Sequence, residues 1–292
     1  MQPISNSELI LNPDGSIYHL NLCPEDIAPT ILTVGDPGRV ARISRHFDEL
    51  LVKKEKREFC CHTGRVGRKN VTAISTGIGP DNIDIALNEL DALVNIDFES
   101  RRPKAAHTVL TFIRVGTSGA LRPDIPVDSF VASAFGVGLD NLMHFYGYNP
   151  TMPEAELTDE LNVFMDFTKQ LPFYTCQSSQ VLLDHIGNDM RQGITLTSPG
   201  FYGPQGRQLR LTPRFDQRAF GQLAAFTFKG YPITNFEMET SAIYGLARLL
   251  GHRALSTNAI IANRADGTFS QHPKDTVDRL IVRVLERVSE LD

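Results

Sequence analysis

With 292 residues and 41% hydrophobic content, the chain can bury a full core without disulfide or metal staples. Its 29 Lys and Arg stand against 34 Asp and Glu; a net charge of −5 leaves no footprint for nucleic acid or an anionic membrane surface. No run approaches the roughly 18 apolar residues of a membrane span. The start, MQPISNSELILNPDGS, is polar and lacks a charged segment leading into an apolar one, so no secretory leader is expected and the expected location is cytoplasmic. Four cysteines make no disulfide framework. Cys60 and Cys61 are adjacent, and with His62 they lack zinc-knuckle spacing, so reduced thiols in core or interface roles are expected.

In chain order, residues 31–34 read as a buried strand stopped by Gly35-Asp-Pro-Gly38, then a helical stretch with Val40, Ile43 and Phe47 on one side. A second strand, 71–74, runs into Ser75-Thr-Gly-Ile-Gly79. After Pro80, the spacing of Ile83, Leu87 and Leu90 predicts a helix. The charged segment 97–106 reads as a solvated excursion. Residues 109–115 form a third strand, expected to end at Gly116-Thr-Ser-Gly119, and 130–134 a fourth. Ile243, Leu246, Ala247 and Leu250 mark a helix closed by Gly251, before a late buried strand at 254–262. Val277, Leu280, Ile281, Val284, Leu285 and Val288 give the last helix a single apolar stripe. Strands alternating with helices argue for an α/β sheet covered on both faces, and with no repeat or linker, residues 1–292 read as one domain.

Ligands in open α/β sheets collect at the carboxyl ends of strands, where backbone amides and side chains converge. Gly35-Asp-Pro-Gly-Arg39 sets a cation beside a glycine turn; Arg114-Val-Gly-Thr-Ser-Gly119 adds a second cation, uncluttered amides and two hydroxyls. Together they supply what a phosphate oxyanion needs, although each alone is equally an ordinary βα turn with a surface arginine. Neither matches a Walker loop or GxGxxG. Ser198-Pro-Gly-Phe-Tyr-Gly-Pro-Gln-Gly-Arg207 suits a flat heterocycle: Phe201 to pack on the ring, Gln205 to donate and accept along an imide edge, Arg207 to meet charge on a ring oxygen. It also reads as a plain Pro/Gly loop. In Asn235-Phe-Glu-Met-Glu-Thr240 a carboxylate can hold a vicinal diol or simply favour a helix N-terminus. Extended backbone would send Glu237 and Glu239 to opposite sides, so at most one is expected to reach a ligand directly.

GDPGR, STGIG, RVGTSGA, FYGPQGR and NFEMETSA, in this order from about Tyr18 to Asn263, resemble the nucleoside phosphorylase superfamily of trimeric or hexameric enzymes, and within it most closely the uridine phosphorylases. The resemblance implies a single-domain α/β fold, a mixed, partly barrel-like β-sheet flanked by helices. It implies reversible phosphorolysis of uridine to uracil and ribose 1-phosphate by a pentosyltransferase of pyrimidine salvage, with phosphate as co-substrate and no cofactor. Gly35, Arg39, Arg114, Gly116 and Thr117 would hold phosphate, and Arg57 would reach the same phosphate from a neighbouring subunit. His19, also from the neighbour, Met238 and Glu239 would hold ribose. Phe201, Gln205, Arg207, Ile261, Ala262 and Arg264 would hold the base. Arg114, Gln205, Arg207 and Glu239 would carry the chemistry. A homo-oligomer built of dimer units, expected as a hexamer, would share its sites between subunits. Some relatives place a monovalent cation at the dimer interface; Glu58 and Ile78 match that set, whereas Asn82 replaces a serine. The family's GIGxPS also reads Gly77-Ile-Gly-Pro-Asp-Asn82 here, and Pro199-Gly200 precedes the base loop.

A purine nucleoside phosphorylase would place an aspartate after the late strand, where this chain has Asn263-Arg264; Asp266 reads as a turn residue. A nucleosidase using water would not need Arg39, Arg57 and Arg114 together. A non-catalytic nucleoside- or phosphate-binding protein is the alternative from another class. Arg114→Ala is expected to lose phosphate binding with the fold retained.

Overall fold

The computed structural model describes residues 2–164 and 171–291, with only the backbone of 217–219. The chain lays down β1 (Thr30–Val34), α1 (Pro37–Ser44), β2 (Glu49–Lys56), β3 (Phe59–Val66), β4 (Lys69–Ser75) and α2 (Pro80–Asn95). A small hairpin, β5 (Ile96–Asp97) and β6 (Arg102–Pro103), leads to β7 (Thr111–Ala120) and β8 (Phe130–Gly138). Then come α3 (Met152–Phe164), β9 (Tyr174–Gln177), α4 (Gln180–Ile186), β10 (Arg191–Thr197), α5 (Gln217–Leu223), β11 (Thr227–Phe228) and β12 (Tyr231–Glu237). The chain closes with α6 (Thr240–Leu249), β13 (Arg253–Asn263), β14 (Thr268–Phe269) and α7 (Pro273–Ser289).

The main sheet runs β11-β12-β10-β8-β13-β7-β1-β4-β3-β2 and mixes parallel with antiparallel neighbours. β12 pairs with β7 as well, setting Asn235 against Ala120 and Phe236 against Gly119. That contact closes β7, β13, β8, β10 and β12 into a ring, from which β1, β4, β3 and β2 extend as a wing. The fold class read from the sequence is therefore the one observed, a mixed α/β sheet with a partly closed barrel. Two buried apolar layers result. One gathers Val40 and Ile43 of α1, Leu183 of α4 and the Val277–Val288 stripe of α7; the other gathers Leu87 and Leu90 of α2 with Ile243 and Leu246 of α6.

Two expectations need correction, and a third gains a role. Helix α1 ends at Ser44, so Phe47 lies beyond it and packs on the core from a turn. β7 does not stop at Gly116 but continues to Ala120, paired along its length with β13, because these residues belong to the closed ring. The 97–106 excursion is solvated, but it also anchors the N-terminal arm: Arg101 Nε donates to the Ile4 carbonyl and Nη2 to the Ser5 carbonyl, both at 2.8 Å. Strands β2, β3, β10 and β12, which sequence reasoning did not mark, supply the outer hairpin of the wing and two of the five ring strands. All four cysteines are free, and burial pushes the Cys61 thiol up to about 12 and that of Cys176 still higher. Among the described residues no helix is long and apolar enough to cross a membrane.

Candidate active site

Where the carboxyl ends of β1, β7, β12 and β13 meet, a cavity of about 440 Å³ opens, within the size range of small-molecule sites. At one end lie Gly35, on the turn from β1 into α1, and Arg39, in the first turn of that helix. Asp36 starts that helix by accepting the Gly38 N–H at 2.9 Å. Arg39 Nη1 donates to the Val115 carbonyl at 3.0 Å, while its buried Nε has no partner among the described residues. Burial and the neighbouring Arg114 charge draw the Arg39 pKa down to about 10, so it stays charged at neutral pH.

Arg114 projects from β7 and is 6% exposed. Its guanidinium donates to Asn258 Oδ1 at 2.7 Å and to Glu239 Oε2 at 2.6 Å, with Glu237 Oε2 3.3 Å away. Burial opposes its charge, but the two carboxylates outweigh that and hold its pKa above the usual value. Gly116 does not line the cavity; it makes room for this side chain, since a Cβ there would lie 1.9 Å from Arg114 Nη1. The glycine thus serves a close approach within a strand rather than a turn. Thr117 lines the cavity beside it.

Both glutamates line the cavity and face the same side, where extended backbone would have sent them to opposite sides. Glu237 ends β12, but Glu239 has left the strand (φ −139, ψ −25) and caps α6, so the two carboxylates converge on Arg114. Their roles differ. Glu237 is consumed by structure: it accepts from Thr197 Oγ1 at 2.6 Å and from the Glu239 and Thr240 amides at 2.9 Å each. Glu239 accepts from Arg114 and from the Gly79 amide at 2.9 Å, an amide aimed by a left-handed glycine, φ 102. Burial raises the Glu239 carboxyl above the usual range, with Arg114 pulling the other way.

The other end of the cavity is the 198–207 loop. Met238, Phe201, Gln205, Arg207, Ile261 and Ala262 all line it, as expected. Gln205 is 2% exposed, whereas Phe201 is 50% exposed. Arg207 stacks on Phe201, 3.8 Å from the ring centroid, and donates to the Gln205 side-chain oxygen and, at 2.7 Å, to the Phe201 carbonyl. Arg264 sits just behind, in an adjoining cavity, its guanidinium 5.7 Å from the Phe236 ring. Burial and Arg207 draw its pKa down to about 10. Sequence reasoning missed Asn258, Phe236 and Phe269. Asn258, fully buried in β13, carried no separate signal, because it follows Ser256 and Thr257 and only its bond to Arg114 sets it apart.

Two expected residues lie outside this cavity, both against the Tyr18 ring. Arg57, at the tip of the β2–β3 hairpin, stands 5.9 Å from the Tyr18 ring centroid; His19 packs edge-on to the same ring at 4.8 Å. The hairpin tip borders the cavity rim: Ser75 Oγ donates to the Glu58 carbonyl at 2.5 Å, and Ile78 at the rim is 65% exposed. Glu58 and Asn82 both crowd Gly77, with Asn82 Nδ2 donating to the Ile78 carbonyl at 3.4 Å.

A separate trio, Asp91, His107 and His252, brings its ligand atoms within 4.8 Å. The Leu110 amide donates to His252 Nδ1 at 3.1 Å, so in the uncharged ring Nε2 carries the proton, which it gives to Asp91 at 3.1 Å. Both ring nitrogens are spent, and the trio is built as a hydrogen-bonded support rather than a metal ligand set.

The sequence model of the phosphorylase superfamily matches residues 29–291. The chain belongs to that superfamily. A uridine phosphorylase of Thermococcus kodakarensis is 31% identical to this phosphorylase over 258 residues, 88% of this chain and 81% of the relative. A Trypanosoma brucei nucleoside phosphorylase, whose crystal structure is described as showing uridine phosphorylase activity, superposes with a TM-score of 0.88 at 27% identity. The superposition covers 97% of this phosphorylase and all of that chain. A DeoD-type purine nucleoside phosphorylase of Caldanaerobacter subterraneus is 27% identical over 239 residues, 82% of this chain and 84% of the relative. Membership alone therefore leaves the base open.

Proposed function

We propose that this phosphorylase is a uridine phosphorylase, cleaving uridine reversibly with phosphate to give uracil and ribose 1-phosphate in pyrimidine salvage. The observation that carries the reading is one cavity with Arg39 and Arg114 at one end, Met238 and Glu239 between, and Phe201, Gln205 and Arg207 at the other. Phosphate held by Arg39, Arg114, Gly35 and Thr117 attacks the anomeric carbon as the glycosidic bond lengthens. The sugar gains positive charge, which the phosphate anion offsets; Glu239 holds the 2′ and 3′ hydroxyls while Met238 packs on the ring. The base gains negative charge. Gln205 and Arg207 exchange their mutual hydrogen bond for bonds to uracil, with Arg264 behind them and Ile261, Ala262 and Phe201 against its faces and edge. A well-placed donor to developing charge contributes about 3 kcal/mol, so positioning and electrostatics suffice without a strong general acid. Phosphate is the co-substrate, and this chemistry calls for no cofactor.

The pyrimidine reading is supported at the end of β13. Asn263 is spent on structure, its amide donating to the Arg122 and Ile125 carbonyls at 2.8 Å. Asp266 faces its own turn, accepting from the Thr268 amide at 3.0 Å. Neither is offered to a purine N7.

A shared site completes the proposal. Within one chain Arg39 and Arg114 are matched by Glu237 and Glu239, so a bound phosphate gains from a further cation. Arg57 and His19 lie on a surface flanking the cavity rim. In a two-fold dimer the patch beside one mouth meets the patch beside the other. We therefore read the active form as dimer units within a larger ring, expected as a hexamer, each chain acting as one unit over 1–292.

The test follows absorbance of uridine, deoxyuridine, thymidine and inosine with and without phosphate. Phosphate-dependent loss of uridine, with inosine inert, is the expected result. Loss without phosphate indicates a nucleosidase, loss of inosine instead indicates a purine enzyme, and binding without turnover removes the enzyme.

A further inference from the structure

We infer that Glu89 is a positioning residue for catalysis, fixing both the place and the tautomer of the histidine that each subunit lends to its neighbour's ribose. The inference rests on the shared, uridine-cleaving site proposed above.

Glu89 lies on α2, seventy residues from His19 in sequence, and its carboxylate is spent on the arm that carries that histidine. Oε1 accepts from His19 Nδ1 at 2.6 Å; the carboxylate also accepts from the His19 amide at 3.0 Å and the Leu20 amide at 2.9 Å. Three donors from two consecutive residues thus converge on one side chain. The arm has little helix or sheet of its own here to hold it, and Arg101 anchors its other end through the Ile4 and Ser5 carbonyls. A carboxylate can only accept, so His19 must place a proton on Nδ1. In the uncharged ring this leaves Nε2 with a free lone pair, and nothing among the described residues bonds to it. Glu89 is mostly covered while His19 remains partly exposed, so the ring is held from behind and presented outward.

On the surface flanking the cavity rim, where His19 and Arg57 both pack on Tyr18, this geometry offers Nε2 as an acceptor to a hydroxyl of a nucleoside held by a second copy of the chain. The ribose 5′-hydroxyl, at the end of the sugar away from the base, is the group that fits. The arrangement follows the general rule that a histidine's function is set by the hydrogen bond on its other nitrogen.

The experiment compares kcat/KM for uridine and 5′-deoxyuridine, which keeps every reacting atom but lacks the 5′-hydroxyl. It uses the wild-type oligomer, Glu89→Gln, His19→Ala and the double variant. A glutamine has a single acceptor oxygen for three donors, so it loosens the arm or reverses the tautomer. Glu89→Gln is expected to lower uridine turnover about tenfold, the scale of one lost hydrogen bond, while leaving 5′-deoxyuridine within about twofold. In the His19→Ala background it should change neither substrate, since its effect passes through that ring. Equal loss on both substrates, or a further loss in the His19→Ala background, assigns Glu89 a merely structural role and overturns the inference alone. A wild type that cleaves neither nucleoside overturns the parent reading and this inference with it; one that cleaves both equally well overturns the inference and the His19–ribose contact while uridine cleavage stands.

Discussion

Arg114 shows how a single side chain ties chemistry to stability. It is buried with two carboxylates, and the strand beneath it is glycine at position 116 because its guanidinium occupies the space a Cβ would need. The expectation that Arg114→Ala would spare the fold is therefore revised. The substitution strands Glu237 and Glu239 without their counter-charge, and should cost about 3–5 kcal/mol, read as a lowered Tm, besides weakening phosphate binding. Gly116→Ala should displace the guanidinium with a milder effect on folding, raising KM for phosphate about tenfold or more in initial-rate assays; an unchanged KM would refute the packing argument. Both residues stood out in the sequence as part of RVGTSGA. What the sequence hid was the reason for the glycine, because a close approach and a turn call for the same residue.

Among the elements, the 198–207 loop and the start of α6 carry the site, and both are held by hydrogen bonds that are invisible in the sequence. Glu237 ties β12 to α6 and to Thr197 of β10, so it defines the scaffold on which Met238 and Glu239 stand. Gln205→Ala leaves that scaffold intact and should chiefly raise KM for uridine, about tenfold for each hydrogen bond lost to the base, with KM for phosphate unchanged. The wing adds a pH response. His62 on β3 is hydrogen-bonded through Nδ1 to Ser44 Oγ of α1 at 2.6 Å, while its Nε2 is buried without a partner. Burial lowers its pKa, so between that value and the unfolded value near ~6.5 the unfolded chain binds more protons. Stability is fully present above about pH 6.5 and falls as pH drops through the folded pKa. His62→Gln should flatten the Tm-against-pH curve across that window; an unaltered slope would discard the assignment. Strands with a run of apolar residues, such as β1, β4 and β13, and helices with an apolar repeat, such as α2 and α7, were legible. Strands β10 and β12, whose few apolar residues are interleaved with threonine and asparagine, were not. Nor was the edge strand β2, ELLVKKEK, because its apolar residues Leu50, Leu51 and Val52 do not alternate and the rest of the strand is charged.

At the scale of the whole molecule, the closed ring brings β7, β12 and β13 together, and the wing carries Arg57 to the rim of the cavity. The proposed sharing of sites makes a prediction that no single chain can satisfy. Arg39→Ala and Arg57→Ala proteins, each impaired alone, should regain up to about a quarter of wild-type activity when subunits are exchanged, since half the dimers are then mixed and each mixed dimer keeps one intact site. No recovery in the mixture, with exchange verified by mass spectrometry, would place Arg57 outside the site. The net charge of −5 is compatible with binding one anion, because the arginines that matter are concentrated at one cavity while the acidic excess is spread over the chain.

By itself the sequence determined the α/β class, the strands β1, β4, β7, β8 and β13 with the helices α1, α2, α6 and α7, and the residue types gathered into five short motifs, because periodicity and glycine punctuation are local properties. Only the tertiary structure decided that β7 runs on through its glycines and that both glutamates turn inward on Arg114, with one of them reserved for structure. It also decided that Glu89 stands behind His19. These outcomes depend on contacts between residues far apart in the chain, 70 positions for Glu89 and His19, 125 for Glu239 and Arg114 and 142 or more for β13 and the end of β7. Their geometry is set by how the sheet closes rather than by anything in either segment.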